Sequence, residues 1–269
     1  MSGGQAGLIT TVALYVLASS AAMLVFAYRL RRARIAQFAR SVTDGMGSQR
    51  DAVFALGRTL YLRIKRGRDP TFLTRLLAPL GASPIAVLEH GGCCSGIHRL
   101  FTASLDAIGI RTVPITVYRL PGPVAAHRLV QVALSPTPLI IDVDYGVWYR
   151  HPNGRSLTIT DLRAGVIPVI EPFVLDPEAR RIQGKYSTPP GYPNTPYYAF
   201  DFRSTRTANW TKSPIRRAAY WLLQRVSRGR VNCLALPPIC AWPEILLAAA
   251  LSGLGVIISA AELTSILPS

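Results

Sequence analysis

The 269-residue chain carries 30 Lys and Arg against 14 Asp and Glu, which gives a net charge of +16 and an isoelectric point near 10.5. Such a charge favours anionic partners, but no groove-reading motif or pattern of stacking aromatics accompanies it, so we expect no specific nucleic-acid binding. Four cysteines are too few for a disulfide framework in a chain this long, which excludes the small disulfide-rich class.

The N-terminal segment has the composition of a transmembrane helix. No charged residue precedes Arg29, and residues 8–28 are predominantly apolar over the roughly 20 positions that a helix needs to cross a bilayer core. A cleaved secretory signal is not expected, because the leading MSGGQAG has no positive side chain. We therefore predict a transmembrane helix within residues 1–28.

A basic juxtamembrane linker is predicted over residues 29–48. Five arginines follow the apolar segment before the first acidic residue, Asp44. Because positive residues stay on the cytoplasmic side, the pattern predicts an inner or plasma membrane protein with its main domain on the cytoplasmic side. The same arginines make anionic membrane lipid an expected partner.

The main domain is predicted over residues 49–230, with a Pro/Tyr-rich extension inside it. A helical apolar pattern at residues 95–108 ends at Gly109, and three segments with strand-like alternation follow, at residues 110–119, 127–134 and 138–149. A helix followed by sequential strands predicts an α+β fold with an antiparallel sheet.

The C-terminal segment, residues 231–269, is predicted to be an apolar helix. Its longest uncharged stretch, residues 245–261, is 17 residues long, at the short end for a membrane span. Two interpretations stay open, namely a second span or re-entrant hairpin and a helix buried in the domain.

Three residues form a candidate thiol site. Cys94 stands where the helix begins, and a helix N-terminus favours a thiolate. His127 opens one strand and Asp142 ends the next, so an antiparallel pairing would bring them side by side, with Asp144 as a competitor for Asp142. A thiol nucleophile needs an imidazole to take its proton and a carboxylate to orient that imidazole.

The neighbouring candidates receive structural interpretations. Cys93 is predicted to be a packed neighbour and His98 a half-buried polar helix residue. A zinc site from Cys93, Cys94 and His98 is not expected, because adjacent cysteines rarely bind one ion and no second ligand pair lies nearby.

The stretches GCCSGIHRLFTASLDAIGIRTVPI, HRLVQV and LIIDVDYG resemble the transglutaminase-like superfamily, whose members share a papain-like thiol-hydrolase core. The resemblance covers about residues 50–165, and DYGVWYRHPNGRSLTITDLR is similar to bacterial members found in surface-polysaccharide contexts. It implies a papain-like α+β core with Cys94 as nucleophile, His127 as general base and Asp142 as its orienting carboxylate. It further implies a thiol-dependent hydrolase or acyltransferase acting on a peptide, amide or ester, with neither metal nor cofactor.

Two positions depart from the family pattern. The family's histidine is usually followed by an aromatic residue and then by Glu, whereas this chain has Leu129 and Gln131. The alternative function is therefore a catalytically inactive domain of the same fold that serves as a membrane scaffold or docking subunit for polysaccharide-biosynthesis proteins.

Overall fold

Helices and a six-stranded antiparallel sheet make up the described part of the chain. The computed structural model describes residues 3–65, 67, 83–119, 125–173, 200–206, 214–230 and 243–266. The helices are α1 (Gly3–Thr43), α2 (Gln49–Arg63), α3 (Pro84–His90), α4 (Cys94–Ala107), α5 (Ile159–Arg163), α6 (Pro214–Val226) and α7 (Pro243–Ile266). The strands are β1 (Thr112–Arg119), β2 (Ala125–Val132), β3 (Leu139–Asp142), β4 (Val147–Arg150), β5 (Val169–Pro172) and β6 (Phe200–Arg206). The predicted α+β class is confirmed.

The sheet has the order β5-β4-β3-β2-β1-β6, so its first five strands form a sequential meander and β6 closes the far edge against β1. Side chains alternate between the two faces of a strand, and here both faces are covered. Val130, Val132 and Ile141 join the core formed with α2 and α4, whereas Leu129 and Ile140 belong to a second core on the other face. The candidate nucleophile's helix therefore lies against one face of the sheet.

Backbone conformation and backbone hydrogen bonds define the two ends of helix α4. Gly109 has φ +82°, and the N–H groups of Gly109 and Ile110 donate to the carbonyls of Asp106 and Leu105 at 3.1 and 2.9 Å. This is the glycine-terminated helix end expected from the sequence. At the other end Cys93 is the N-cap and Cys94 is the first helical residue, one position earlier than the predicted start.

Helix α1 continues through most of the predicted linker. It runs to Thr43 without a break, and Ile35 and Ala39, one turn apart on the same side, are fully buried in the domain core. The predicted linker at residues 29–48 is helical as far as Thr43, because burying this apolar stripe keeps the segment helical.

The preceding turns of α1 are exposed and apolar. In the most apolar 18-residue window of Thr10–Thr43 only 6% of the residues are buried, and the mean hydropathy is 1.9. Tyr15, Met23 and Phe26 are each more than 60% exposed. The helix is thus long and apolar enough to cross a membrane.

Helix α7 packs along α1 and not inside the domain. A Cβ placed on Gly255 would lie 3.8 Å from a side-chain methyl of Leu14, which is van der Waals contact between the two helices. Val256 and Ile257 are 69% and 65% exposed, whereas Ala248 is buried. Helix α7 thus has an exposed apolar side.

Several predicted features lie outside the described residues. These are the short helix expected at residues 71–80, most of the Pro/Tyr-rich extension, Cys233 and Cys240.

The chain that leads into the nucleophile is held against the end of α2. The N–H of Gly92 donates to the Lys65 carbonyl at 3.0 Å, and the N–H of Gly67 donates to the Gly92 carbonyl at 3.2 Å. Gly91 has φ +83°, and a Cβ added there would lie 2.1 Å from the Lys65 carbonyl oxygen. Gly91 therefore provides room for the backbone of Lys65. From its position just before the two cysteines, the sequence had also suggested room for a substrate.

We predict that Gly91→Ala destabilises the fold far more than Gly45→Ala. Both glycines have positive φ, which costs a non-glycine residue about 1–3 kcal/mol, but only Gly91 also meets backbone, whereas nothing lies within 4 Å of a Cβ at Gly45. Thermal unfolding of the detergent-solubilised chain measures the difference, and equal shifts in Tm would contradict the close approach at Lys65.

Candidate active site

Cys94 is presented at the N-terminal end of α4. Its side chain is half-buried, and its Sγ, a ring nitrogen of His127 and a carboxylate oxygen of Asp144 all lie within 4.8 Å of one another. The structure thus brings the predicted nucleophile and the predicted base together, although the two residues are 33 positions apart in sequence.

His127 and Asp142 form a buried pair. His127 Nε2 lies 2.7 Å from Asp142 Oδ2, and both side chains are almost fully shielded from solvent. The pairing of Val130 with Ile141, continued by one position, sets Asp142 opposite Leu129. His127 and Asp142 are therefore diagonal neighbours on one face and not the directly opposed pair that the sequence suggested, and a diagonal pair is still within reach of long side chains.

The Asp142 carboxylate has partners on both oxygens. Oδ1 accepts hydrogen bonds from the backbone N–H groups of Asp144 and Tyr145 at 3.0 and 3.1 Å. Oδ2 accepts from His127 and, at 3.5 Å, from the Tyr149 hydroxyl. These bonds hold a fully buried charge in one orientation.

The charge state of Asp142 follows from this environment. Burial raises the pKa of its carboxyl, but the charge and hydrogen bond of His127 outweigh burial and hold the pKa well below its usual range. Asp142 is thus ionised near neutral pH and suited to orient the imidazole of His127.

The structure also separates Asp142 from its competitor. Asp144 uses its backbone N–H to bind Asp142, while its own carboxylate lies beside the Cys94 sulfur. Asp142 is therefore hydrogen-bonded to His127, and a carboxylate oxygen of Asp144 lies within 4.8 Å of both the Cys94 sulfur and a His127 ring nitrogen.

His98 has a larger role than its sequence position suggested. It is 1% exposed, its Nδ1 donates to the Cys94 carbonyl at 2.7 Å, and its Nε2 accepts from the Val143 N–H at 3.3 Å. Nε2 also lies 3.4 Å from Asp142 Oδ1. His98 therefore connects the first turn of α4 to the end of β3, and the four-residue spacing from Cys94 was the only signal in the sequence.

Tyr145 is a second residue that sequence reasoning missed. Its ring centroid lies 4.6 Å from that of His127, with an interplanar angle of 37°. The ring covers one face of the imidazole and limits its rotation. No sequence pattern identified it, because its position depends on the turn after Asp142.

The Cys94 thiol is less acidic than the sequence predicted. A hydrogen bond to Cys93 raises its pKa well above the ordinary value, and burial and the negative charges of Asp144 and Asp142 raise it further. The predicted effect of the helix N-terminus acts in the opposite direction but is typically worth only 0.3–1 kcal/mol. The resting side chain is therefore a thiol, and reaction requires transfer of its proton.

Two overlapping sets of side chains have the spacing for a metal ion. One set is Cys94, His127 and Asp144, and the other is His98, His127 and Asp142. In the second set both ring nitrogens of His98 already have partners. The first set joins residue types that bind zinc, with Asp142 as the carboxylate behind the histidine. A metal there would occupy the thiolate, so metal binding and attack by Cys94 exclude one another.

No protein-family model matches the chain, and no curated protein or solved structure matches it significantly.

We predict that Cys93→Ala lowers the pKa of the Cys94 thiol. The variant removes the largest of the influences that raise it, so more thiolate is present at a given pH. The rate of Cys94 alkylation by iodoacetamide, followed by mass spectrometry across pH, should reach half its plateau at a lower pH than in the wild type. Cys93→Ser is the control that keeps a hydrogen-bonding group at this position, and it should shift less. An unchanged profile for Cys93→Ala would contradict the assigned contact.

We predict that His98→Ala destabilises the fold. It leaves the buried N–H of Val143 without its acceptor, which costs about 1–3 kcal/mol in addition to the lost packing. His90→Ala is the matched control, because the His90 side chain is 61% exposed and lies 3.8 Å from the Glu89 carboxylate at the surface. The Tm of the solubilised chain should fall for His98→Ala and stay within experimental error for His90→Ala. Equal Tm values for the two variants would contradict the connection that His98 makes between α4 and β3.

Proposed function

We propose that this protein is a membrane-anchored, thiol-dependent hydrolase or acyltransferase with a transglutaminase-like, papain-like core. The observation that carries the proposal is the order of contacts at one site: Cys94 at a helix N-terminus, His127 beside its sulfur, and the ionised Asp142 on the imidazole. An imidazole fixed by a carboxylate and close to a thiol is suited to general base catalysis.

The first half of the reaction forms a thioester. Cys94 Sγ attacks the carbonyl carbon of an amide or ester, and its proton passes to His127. The negative charge on the carbonyl oxygen is stabilised by backbone N–H groups of the first turn of α4, which have no partner within the helix. His127 then gives the proton to the departing amine or alcohol, which leaves an acyl group on sulfur.

The second half releases the acyl group. His127 removes a proton from water or from an acceptor amine or alcohol, which attacks the thioester carbon and expels Cys94 as its thiol after proton return. Water gives a carboxylic acid, and an acceptor gives a new amide or ester. Asp142 keeps Nε2 of His127 engaged throughout, so that the other nitrogen serves the proton transfers.

The expected location is the inner or plasma membrane, with the domain on the cytoplasmic side. The apolar part of α1 supports the anchor, and the arginines from Arg29 to Arg40 support this orientation. A basic flank of this kind suits anionic lipid. The likeness of residues 144–163 to polysaccharide-associated members supports a substrate or partner in envelope biosynthesis.

The second candidate is a catalytically inactive scaffold or docking subunit. Leu129 is fully buried in a sheet core, and the Gln131 side-chain oxygen accepts the Ile159 N–H at 3.0 Å at the start of α5. These two positions, where the family usually has an aromatic residue and Glu, thus have structural roles here. The raised pKa of the Cys94 thiol also favours this candidate.

A chromogenic aryl ester separates the two candidates. We predict ester turnover by the solubilised wild type, loss of turnover in Cys94→Ala, and a decrease of about 100-fold or more in His127→Ala, since general base catalysis typically contributes that much. Cys93→Ala is the matched control and should keep turnover. A metal chelator should leave the rate unchanged.

The scaffold is supported instead if the wild type shows no turnover and iodoacetamide labels Cys93 and Cys94 at equal slow rates. Loss of activity on chelation, restored by zinc, would favour the metal set of Cys94, His127 and Asp144.

A further inference from the structure

Helix α6 exposes an apolar face to solvent. Trp221 and Leu222 are each 57% exposed and Val226 is 75% exposed, and they lie within about one and a half turns of each other on one side of the helix. An amphipathic helix of a globular domain normally buries this face. In α6 the apolar face is exposed instead of buried, which indicates that another surface covers it.

The rest of the helix is tied to the domain by aromatic and cationic groups. The Arg206 guanidinium of β6 lies 5.5 Å from the Tyr220 ring centroid and 5.7 Å from that of Tyr118 in β1. This contact fixes which side of α6 turns inward. Leu222 and Val226 therefore remain outward.

The surrounding charge is uniformly positive. Eight Lys and Arg residues and no Asp or Glu occur between Asp201 and Glu244. On the helix itself the Arg225 guanidinium stacks 3.9 Å above the Trp221 ring, and Arg217 flanks the exposed face. Arginine beside Trp and Leu on one helix is the composition of helices that lie in a bilayer interface.

We propose that the exposed face of α6 lies in the headgroup region of an anionic bilayer, parallel to the membrane surface. Trp221, Leu222 and Val226 enter the interface, and Arg217, Arg225, Arg228 and Arg230 bind lipid phosphates. This surface is separate from the thiol site and does not depend on its chemistry.

A bilayer fits this face better than a second copy of the chain does. A symmetric contact between two α6 helices would bring the same arginines together, and like charges oppose association. Anionic lipid satisfies both the apolar and the cationic groups. The membrane is also within reach, because only residues 227–242 separate α6 from α7, which packs along α1.

Photo-crosslinking in the full chain tests this placement. p-Benzoylphenylalanine replaces Leu222, or Tyr220 as a control on the inward side of the same helix, and the protein is reconstituted in nanodiscs of phosphatidylcholine with or without phosphatidylglycerol. After irradiation, mass spectrometry measures lipid adducts. We expect a several-fold higher adduct yield at position 222 than at position 220, with phosphatidylglycerol enriched among the adducts.

A second variant tests the charges separately. Arg228→Gln together with Arg230→Gln should lower the adduct yield at position 222 in anionic nanodiscs by an order of magnitude or more, up to about 25-fold, since one arginine near such a surface contributes a factor of about five. Both residues are exposed beyond the helix end, so the fold should persist. Equal adduct yields at positions 222 and 220, a crosslinked dimer at position 222, or crosslinks from position 222 to the rest of the chain would each overturn the proposal.

Discussion

The buried charge of Asp142 is the constraint around which the site is organised. An unpaired carboxylate in a protein interior costs several kcal/mol, so groups from different elements must converge on it. Here β2 contributes His127 and the turn after β3 contributes two backbone N–H groups, while His98 of α4 accepts the Val143 N–H beside the carboxylate. The turn that compensates the charge is thus also where His98 holds the helix carrying Cys94 against the sheet.

The negative charges at this site also affect the candidate nucleophile, Cys94. Asp142 and Asp144 both place negative charge near the Cys94 sulfur, and Cys93 accepts its proton as a hydrogen-bond partner. The site therefore stabilises the resting thiol and leaves activation to His127. A centre of this kind resists adventitious oxidation and alkylation better than a standing thiolate does, at the expense of intrinsic speed. Asp144 lies outside the proposed triad of Cys94, His127 and Asp142, and its distances to Cys94 and His127 also fit cation binding.

The sequence predicts the features of this arrangement that depend on local signals. It does not predict those that depend on contacts between distant residues. The end of α4 at Gly109, the α+β class and the chain order of Cys94, His127 and Asp142 follow from glycine chemistry and from alternation along the strands. The diagonal relation of His127 to Asp142 does not, because register depends on the loop between β2 and β3. His98 was predicted to be half-buried but is almost fully buried. Its partner, the Val143 N–H, lies 45 residues away in the sequence, so no local pattern reveals the contact. The continuation of α1 past Arg29 was missed for a similar reason. Arginines dominate this stretch of the sequence, so Ile35 and Ala39, which the domain buries, were not recognised as an apolar stripe.

That continuation links the membrane segment to the site. Helix α1 packs against α4 as well as α2, and Arg32 lies 3.5 Å from Asp106 near the end of α4. An exposed ion pair contributes little free energy, so the attachment depends mainly on Ile35 and Ala39. Ile35 is seven residues beyond Tyr28, a rise of about 10 Å in a helix. The domain core thus begins within about one helix diameter of the apolar segment and is joined to it by continuous helix, without a flexible tether.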